Sequence, residues 1–195
     1  MERMQNHDRM DAAGLDTAVA TLVLAFNEDP LMRWVFDSPE QYLTYAPRLI
    51  RVIAGNAFAS DSAQLSSDGR AVACWTPPRT HHDDASVLAI VSEACAPQRL
   101  AAVIGMIEQL DGYRPAGDFW YLSMLGVEPV CRAKGYGASL LAQRLCECDA
   151  ARLPASLWSS NERNLSFYQR QGFEVQARLQ KADAPPIFPM LRAPR

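Results

Sequence analysis

Long apolar runs and an excess of charge of one sign are both missing from this sequence. A mid-chain apolar run, "VLAIV", has five residues, whereas a membrane-spanning helix needs about 20. The 195 residues include 19 Lys and Arg against 22 Asp and Glu, which gives a formal net charge of −3. Because the apolar runs are short, we expect no membrane span. Because the basic residues are spread along the chain, we expect no nucleic-acid partner.

A regular cysteine pattern is missing as well. The five cysteines are an odd number without regular spacing, which argues against a disulfide framework and favours reduced thiols. Cys146 and Cys148 are two residues apart in a predicted helix, so their side chains point in different directions and do not share a metal. The "HHDD" segment at 81–84 is predicted to be a solvated loop, because the sequence places no further ligand beside it. We therefore expect no bound metal.

The remaining composition is that of an ordinary globular protein. Hydrophobic residues make up 49% of the chain and charged residues 21%. The stretch "MERMQNHDRMDAAG" at 1–14 lacks the apolar core of a secretory signal, so we expect a cytoplasmic protein. The length, together with the lack of a linker-like segment, predicts a single domain over 1–195.

Hydrophobic periodicity predicts a mixed α/β fold in which a mixed sheet is flanked by helices. The first half is expected to contain a helix at 15–26 that stops at Asp29-Pro30, a helical stretch at 39–58 that Pro47 kinks or restarts, a hairpin at Asp68-Gly69, and helical segments at 84–110 divided by Pro97. The second half is expected to contain a strand at 119–127, a helix at 137–151, a strand at 155–159, a helix at 162–171 ended by Gly172, and strands at 173–180 and 186–192.

The loop after the predicted strand at 119–127 has the features of an anion site. The stretch "VCRAKGYGASLL" at 130–141 places Arg132 and Lys134 ahead of Gly135 and Gly137, where a helix begins. A helix start presents free N–H groups and the positive end of the helix dipole, and glycines let the backbone approach a phosphate. Taken alone, the glycine pair fits an ordinary strand-to-helix turn equally well.

Two familiar phosphate loops do not fit. The dinucleotide fingerprint needs a small residue where Leu140 stands and an acid after the next strand, "ASLWS", which has none. The nucleotide-triphosphate loop needs Gly-Lys followed by Ser or Thr, whereas here Lys134 precedes Gly135 and Tyr136 follows it.

The stretch "LGVEPVCRAKGYGASLL" at 125–141 resembles the acetyl-coenzyme A loop of the GCN5-related N-acetyltransferases (GNAT). The family pattern is Gln or Arg, two residues, Gly, one residue, then Gly or Ala, and Arg132, Gly135 and Gly137 occupy those places. Ala133 stands where many members have Gly, and we expect little consequence from this departure.

A second stretch, "SSNERNLSFYQRQGFE" at 159–174, resembles the family's second signature through Asn161, Tyr168 and the pair Gly172-Phe173. The resemblance covers about 119–191. Upstream, "AFNEDPLMRWVF", with "PPIFPMLR" near the end, is similar to the puromycin-type acetyltransferase subgroup.

The resemblance implies a GNAT fold, with a central, mostly antiparallel twisted sheet that splays at its two central parallel strands. It also implies acetyl-CoA as the cofactor, with its pantetheine arm between those strands. Gly126 fits a bulge in the first of them. The implied cofactor-binding residues are Leu125, Gly126, Val127, Arg132, Ala133, Lys134, Gly135, Tyr136, Gly137, Ala138, Asn161, Asn164 and Tyr168.

The family's chemistry suggests roles for individual residues. The amide of Val127 is implied as the oxyanion donor and the hydroxyl of Tyr168 as the acid for the departing thiolate, although Tyr168 as a packing residue is the alternative. Asn161 or Asn164 is expected to bind the cofactor arm or to cap the next helix. The general base stays open among Asp118, Glu128, Glu93, His81 and Asp83, or a water chain.

The expected function is transfer of an acetyl group from acetyl-CoA to a primary amine of a small molecule. Glu28, Asp29 and Trp34 lie where the family commonly builds its acceptor pocket, although surface solvation explains them equally well. A peptide or protein acetyltransferase and a non-catalytic acyl-CoA sensor or scaffold are the alternatives. The protein is expected to be a monomer or a homodimer.

Overall fold

A computed structural model describes residues 12–80 and 84–195, so His81, His82 and Asp83 lie outside the described residues. In the described part, seven α-helices pack against one six-stranded sheet. The helices are α1 (Ala12–Phe26), α2 (Pro30–Val35), α3 (Pro39–Ala59), α4 (Asp84–Ala94), α5 (Pro97–Asp111), α6 (Tyr136–Ala151) and α7 (Leu165–Arg170). The strands are β1 (Ala63–Leu65), β2 (Ala71–Thr76), β3 (Trp120–Val127), β4 (Ala155–Ser159), β5 (Glu174–Val175) and β6 (Phe188–Arg192).

The sheet has the strand order β1-β2-β3-β4-β6-β5 and is mostly antiparallel. Its one parallel pair, β3 with β4, is joined through Trp120 with Ala155 and Tyr121 with Ser156. Beyond that point the two strands separate. The predicted mixed sheet, with a splay between two central parallel strands, is confirmed.

The sheet divides the apolar residues between two faces. Side chains of a strand alternate between the faces, so Val72 and Cys74 of β2 pack with α1, α3 and α4, while Ala73 and Trp75 pack with α6 and α7. All six residues of β2 are buried, as expected for a strand covered on both sides. The sheet therefore holds its central strands rigidly between two helical layers.

Most of the predicted elements are confirmed. The hairpin at Asp68-Gly69 joins β1 and β2, and Pro97 begins α5 after a break. The predicted helix at 162–171 is a 3₁₀ turn at Glu162–Asn164 continued by α7, and Gly172 ends it with a φ of +92°.

The structure adds detail to two predictions about the helices of the first half. α1 ends before Asp29-Pro30, as expected, and Asp29 also caps a short helix, α2, which the sequence does not predict. Pro47 was expected to kink its helix or to start its second part, and α3 does not restart there, because Pro47 lies inside one helix from Pro39 to Ala59. Proline cannot donate a hydrogen bond to the carbonyl four residues earlier. That carbonyl belongs to Leu43, an exposed residue of α3, so water is available as its partner.

The strand predicted at 173–180 is wrong over most of its length. β5 contains two residues, and Leu179 forms an isolated bridge with Ile187. This segment is at the edge of the sheet and has a neighbouring strand on one side only, so its alternation of apolar and polar residues does not produce a long run of strand pairing.

None of the described helices is long and apolar enough to cross a membrane.

Candidate functional site

A cleft of about 690 Å³ opens where β3 and β4 separate. Its lining includes twelve of the thirteen residues predicted to bind the cofactor: Leu125, Gly126, Val127, Arg132, Ala133, Gly135, Tyr136, Gly137, Ala138, Asn161, Asn164 and Tyr168. Lys134 lies outside this lining, on the exposed side of the loop. The end of α1 and Asp29 complete the wall. The fold thus brings together residues from four separate parts of the chain.

The edge of β3 that faces the cleft offers backbone groups to a ligand. Glu128 N donates to Arg70 O of the β1–β2 hairpin at 2.8 Å. Because N–H and C=O groups alternate along a strand, those of Val127 and Leu125 point the other way, away from β2. On that side β4 has already diverged. An extended ligand can therefore pair with β3 in place of a strand.

The bulge predicted at Gly126 is wrong. Gly126 pairs in register with Val72, and the irregularity lies between Cys74 and Trp75 of β2, opposite Ser123. The glycine serves a different purpose, since a Cβ added there would lie 2.7 Å from Leu22 Cδ2. Gly126 allows α1 to approach β3.

The loop between β3 and α6 holds unpaired amides at the end of the cleft. Ala133 and Gly135 have φ angles of +62° and +88°, and Gly135 begins α6 without a side-chain cap. The first intrahelical bond of α6 runs from Ser139 N to Gly135 O at 3.0 Å. The preceding N–H groups, at 136–138, have no acceptor within the helix and lie where the cleft ends.

Glycine is present at positions 135 and 137 for different structural reasons. The backbone of Gly135 requires glycine because of its positive φ, and a Cβ there would meet no atom within 4 Å. Gly137 is buried, and a Cβ would lie 3.3 Å from Phe167 Cζ and 3.6 Å from Val127 Cγ2. The expectation that both glycines serve access to a ligand is therefore too simple, because Gly137 also sets how closely α6 packs.

Polar side chains of the loop are anchored to neighbouring elements. Arg132 donates to Ala25 O at 2.9 Å, at the carboxyl end of α1, and lies 3.7 Å from a carboxylate oxygen of Glu28. The Tyr136 hydroxyl donates to Asp68 Oδ2 at 2.5 Å and lowers the pKa of Asp68 to about 2. These contacts fix the loop between α1 and the hairpin.

Tyr168 is a buried residue of α7 that reaches the cleft. Its ring packs edge-on against Phe167 and Phe173, with ring centroids 5.1 and 6.1 Å away. Burial, followed by the negative charge of Asp29, raises the pKa of Tyr168 above its ordinary value. The hydroxyl therefore stays protonated at neutral pH.

The two asparagines predicted at the site differ in what they do. Asn161 Oδ1 accepts from Arg163 N at 3.1 Å and caps the 3₁₀ turn. Asn164 precedes α7 without such a cap bond, and it lines the cleft. Asn161 thus has a helix-capping role that Asn164 lacks, and both residues line the cleft.

Asp29 is the functional candidate that sequence reasoning placed only loosely. The carboxylate is buried, and its Oδ1 accepts from Leu31 N and Met32 N at 3.0 Å each. The Ser160 hydroxyl donates to Oδ2. Burial raises the pKa of Asp29, and the three hydrogen bonds oppose that rise. The signal in the sequence was an Asp before Pro30, which by itself indicates a helix cap.

Comparison with known proteins relates this arrangement to a family. Residues 86–175 match the family model of the acetyltransferase (GNAT) domain. This part of the chain is similar to a GNAT domain. The match contains the loop, α6, Tyr168 and β5, and it begins earlier than the predicted start near 119.

Solved structures with the GNAT fold superpose on nearly the whole chain. A histone acetyltransferase HPA2-related protein from Corynebacterium glutamicum is 21% identical, with a TM-score of 0.68 over 95% of this chain and 93% of that chain. Arylalkylamine N-acetyltransferase 2 from Aedes aegypti is 10% identical, with a TM-score of 0.63 over 95% and 96%. The PaiA N-acetyltransferase of Thermoplasma acidophilum, solved with coenzyme A, is 14% identical, with a TM-score of 0.54 over 95% and 96%. These likenesses establish the fold.

The described acids that were predicted as possible bases lie in ion pairs. Asp118 pairs with Arg79 at 2.7 Å, Glu93 pairs with Arg48 at 2.7 Å, and Glu128 pairs with Arg70 at 3.1 Å. Hydrogen bonds from the arginines lower the pKa values of Asp118 and Glu93, which weakens both carboxylates as bases.

Of the three residues predicted for the acceptor pocket, Glu28 and Asp29 line the cleft, whereas Trp34 packs beneath Arg99.

A second cavity, of about 610 Å³, lies on the opposite face of the GNAT sheet, against α3 and α5. It borders both β3 and β4 where they begin to diverge. Ion pairs of Arg79 with Asp118 and of Arg114 with Asp111 lie at its wall. Its aromatic lining consists of Tyr113, Phe119, Tyr121 and Trp158. The sheet is thus open to a cavity on either side of the splay.

Within the described residues, no cluster of His, Cys, Asp and Glu could hold a metal ion.

Proposed function

We propose that the protein is an N-acetyltransferase that transfers the acetyl group of acetyl-CoA directly to a primary amine of a small molecule. One observation carries the proposal: a single cleft joins the unpaired amides of the loop, the open edge of β3 and the buried hydroxyl of Tyr168. The GNAT match agrees with this assignment, because members of that family transfer acetyl groups.

The residues of the cleft fit a coenzyme A thioester. The N–H groups at 136–138 and the dipole of the 16-residue helix α6 favour a diphosphate. Arg132 and Lys134 add positive charge on either side of Ala133. The open backbone groups of Leu125 and Val127 suit the amides of a pantetheine arm, and the carboxamide of Asn164 offers a further hydrogen bond. When bound, acetyl-CoA supplies the activated acetyl group.

Two groups of the chain are assigned to the chemistry. The N–H of Val127 points into the cleft and is proposed to stabilise the oxyanion that forms on the thioester carbonyl. Tyr168 is proposed to donate its proton to the departing thiolate. Its raised pKa keeps the hydroxyl protonated at neutral pH, so that a proton is available for donation.

The second cavity is proposed to hold the acceptor. Its volume is within the range of small-molecule pockets, and its position allows an amine to reach the cleft through the gap between β3 and β4. Relatives of known fold include both an arylalkylamine and a histone acetyltransferase by name, so the aromatic lining of this cavity is the reason for choosing a small molecule. Membership of the puromycin-type subgroup rests on the resemblance of 25–36 and 185–192 and stays a proposal.

A transfer assay tests this function. The purified protein is mixed with acetyl-CoA and a panel of amines, and release of the coenzyme thiol and the mass of the product are measured. We expect thiol release that depends on the amine and a product heavier by one acetyl group. Products from peptides or proteins alone would favour the peptide acetyltransferase. Tight acetyl-CoA binding with no product would favour the sensor or scaffold.

The proposal also covers location and assembly. All five cysteines are free thiols in the structure, which suits the reducing cytoplasm. We propose a cytoplasmic enzyme that acts as a monomer or a homodimer, and sedimentation at several protein concentrations distinguishes the two states.

A further inference from the structure

We propose that Asp29 is the base that accepts a proton from the acceptor amine, and that Ser160 holds its carboxylate in position. This inference rests on the proposed acetyl transfer and adds the proton acceptor that the ion-paired acids do not supply.

The first step is the place of Asp29 in the cleft. The described acids that line the cleft are Glu28 and Asp29. The Glu28 side chain is 81% exposed and lies beside Arg132, whereas Asp29 is 8% exposed. Asp29 borders the same cavity as Tyr168 and the open edge of β3. It is therefore the sheltered carboxylate at the point where an amine would meet the thioester.

The second step is the hydrogen bonding of the carboxylate. Oδ1 accepts two backbone N–H groups, and Oδ2 accepts the Ser160 hydroxyl. An ionised carboxylate offers about four acceptor positions, so Oδ2 keeps one for an ammonium group. Ser160 directly follows β4, the strand that diverges from β3. The bond between Ser160 and Asp29 thus fixes the carboxylate across the mouth of the splay.

The third step is that helix capping does not explain an acid at this position. Asn and Ser cap helices as well as Asp does, while burial of a carboxylate is unfavourable. Burial also raises the pKa of Asp29, which makes the carboxylate a better proton acceptor than an exposed one. An ionisable group in this place therefore has a purpose beyond the cap.

The surroundings of Asp29 suit a base that works opposite an acid. Its charge reaches the hydroxyl groups of Tyr168 on α7 and Tyr42 on α3, and it contributes to raised pKa values in both. Arg33 of α2 lies over the Tyr42 ring, 5.3 Å from its centroid. An ionised Asp29 thus helps to keep Tyr168 protonated, and the two groups divide the roles of base and acid.

The proton balance is complete with these groups. An N–H bond of the ammonium breaks, the proton bonds to Asp29 Oδ2, and the electron pair stays on nitrogen. That pair attacks the thioester carbon, the carbon–sulfur bond breaks, and Tyr168 gives its proton to sulfur. The second proton lost from nitrogen replaces the proton of Tyr168 by way of solvent, and Asp29 releases its own proton to solvent.

The test uses Asp29→Asn with two acceptors of the same shape, 2-phenylethylamine and its β,β-difluoro analogue, which is a much weaker base. Asn keeps the helix cap but takes up no proton. At pH 7 we expect kcat/KM to fall about 100-fold or more for 2-phenylethylamine and less than about tenfold for the difluoro amine, because a much larger fraction of the difluoro amine is already neutral. The loss for 2-phenylethylamine should shrink as the pH rises. Equal losses for both amines, or no loss, would overturn the inference.

Ser160 has a separate readout because it acts through Asp29. In Ser160→Ala the carboxylate loses a hydrogen bond that lowers its pKa, so the acid limb of the kcat/KM profile should move to higher pH, and Ser160→Thr should restore it. An unmoved limb in Ser160→Ala contradicts the positioning role.

Matched controls separate this inference from the proposed function. Asp37→Asn alters an exposed acid paired with Arg99 and should leave kcat/KM unchanged for both amines. Thermal unfolding of Asp29→Asn is measured beside the kinetics, and a near-normal midpoint shows that the cap survives. If the wild-type protein acetylates no amine of the panel, the proposed function fails and this inference fails with it. If the wild type is active and Asp29→Asn shows no dependence on amine basicity, this inference alone fails.

Discussion

Ala133 adopts a backbone conformation that alanine avoids. Its φ of +62° lies in the left-handed region, at the centre of the proposed diphosphate loop. That region costs a non-glycine residue about 1–2 kcal/mol, whereas glycine adds about 0.4–1 kcal/mol of unfolded-state entropy. The first effect is larger, so glycine is expected to be the more stable residue at position 133.

We therefore predict that Ala133→Gly stabilises the protein by about 0.5–1 kcal/mol. Urea unfolding measures the change. Ala138→Gly is the matched control, because position 138 lies in the first turn of α6 and glycine should lower the stability there by about 0.5–1 kcal/mol. A destabilised Ala133→Gly protein would show that the loop backbone carries no strain.

At the same scale, Tyr168→Phe tests the acid. Loss of the hydroxyl should lower kcat about 100-fold, while acetyl-CoA affinity stays nearly constant because the ring still packs against Phe167 and Phe173. Steady-state kinetics and calorimetry measure the two quantities. Tyr45→Phe, which removes a hydroxyl away from the cleft, is the control, and unchanged kcat in Tyr168→Phe would remove the residue from the mechanism.

Individual residues show where sequence reasoning succeeds. The loop residues at 132–138 were predictable because a strand, a glycine turn and a helix follow one another in the chain, so their spacing alone sets the geometry. The bonds from Ser160 to Asp29 and from Arg132 to Ala25 join residues 131 and 107 positions apart. No local pattern encodes such contacts, so the sequence predicts Asp29 as part of a helix stop and as an acid near a possible acceptor pocket, but not its bond to Ser160.

Among the elements, α1 packs closely on the sheet at Gly126. A Cβ at Gly126 would lie 2.7 Å from Leu22 Cδ2 and 2.9 Å from Ala25 Cβ. The end of α1 leads directly into Asp29, so the distance between α1 and β3 positions the proposed base. The sequence showed a glycine in a strand, and both a bulge and a close approach explain that pattern.

Gly126→Ala should consequently destabilise the protein by about 1–3 kcal/mol, as overpacking does. The control is Gly55→Ala in α3, where an added Cβ meets no atom within 4 Å and alanine should stabilise the helix by about 0.5–1 kcal/mol. Thermal unfolding measures both. If the two variants shift in the same direction, α1 and β3 are not held as closely as described.

The other elements differ in how well their sequences define them. Buried strands and amphipathic helices were predicted well, because their periodicity reflects one covered face. α2 was missed because six residues are too few for a period, and the strand at 173–180 was overestimated because an edge position, not its residue pattern, limits its pairing.

At the scale of the whole molecule, Asp149 joins α6 to β6 and to the residues that follow β6. The carboxylate of this α6 residue holds Arg192 of β6 with two contacts of 2.7 Å and also accepts from Arg195 N at 2.8 Å. Arg192 is 4% exposed, and its hydrogen bonds lower the pKa of Asp149 to about 2. A buried arginine without this partner would be an uncompensated charge.

We predict that Asp149→Asn costs about 3 kcal/mol of unfolding free energy at pH 7. Because the folded pKa is depressed, the contribution of the pair is fully present above the ordinary aspartate pKa of 3.8 and is lost as the pH falls toward 2. Unfolding measured from pH 7 to pH 2.5 should show the wild type approaching the variant. Parallel curves over that range would contradict this assignment.

The central claim is that acetyl-CoA binds with its diphosphate on the first turn of α6. Calorimetric titration of the wild type, Ala138→Glu and Ala138→Gln with acetyl-CoA tests it most directly, because Glu and Gln have nearly the same shape and Glu alone adds negative charge at a helix start that tolerates it. The account predicts binding by the wild type and a loss of affinity at least about tenfold greater for Glu than for Gln, which is about 1.4 kcal/mol. No binding by the folded wild type, or equal affinities of the Glu and Gln variants, would contradict it.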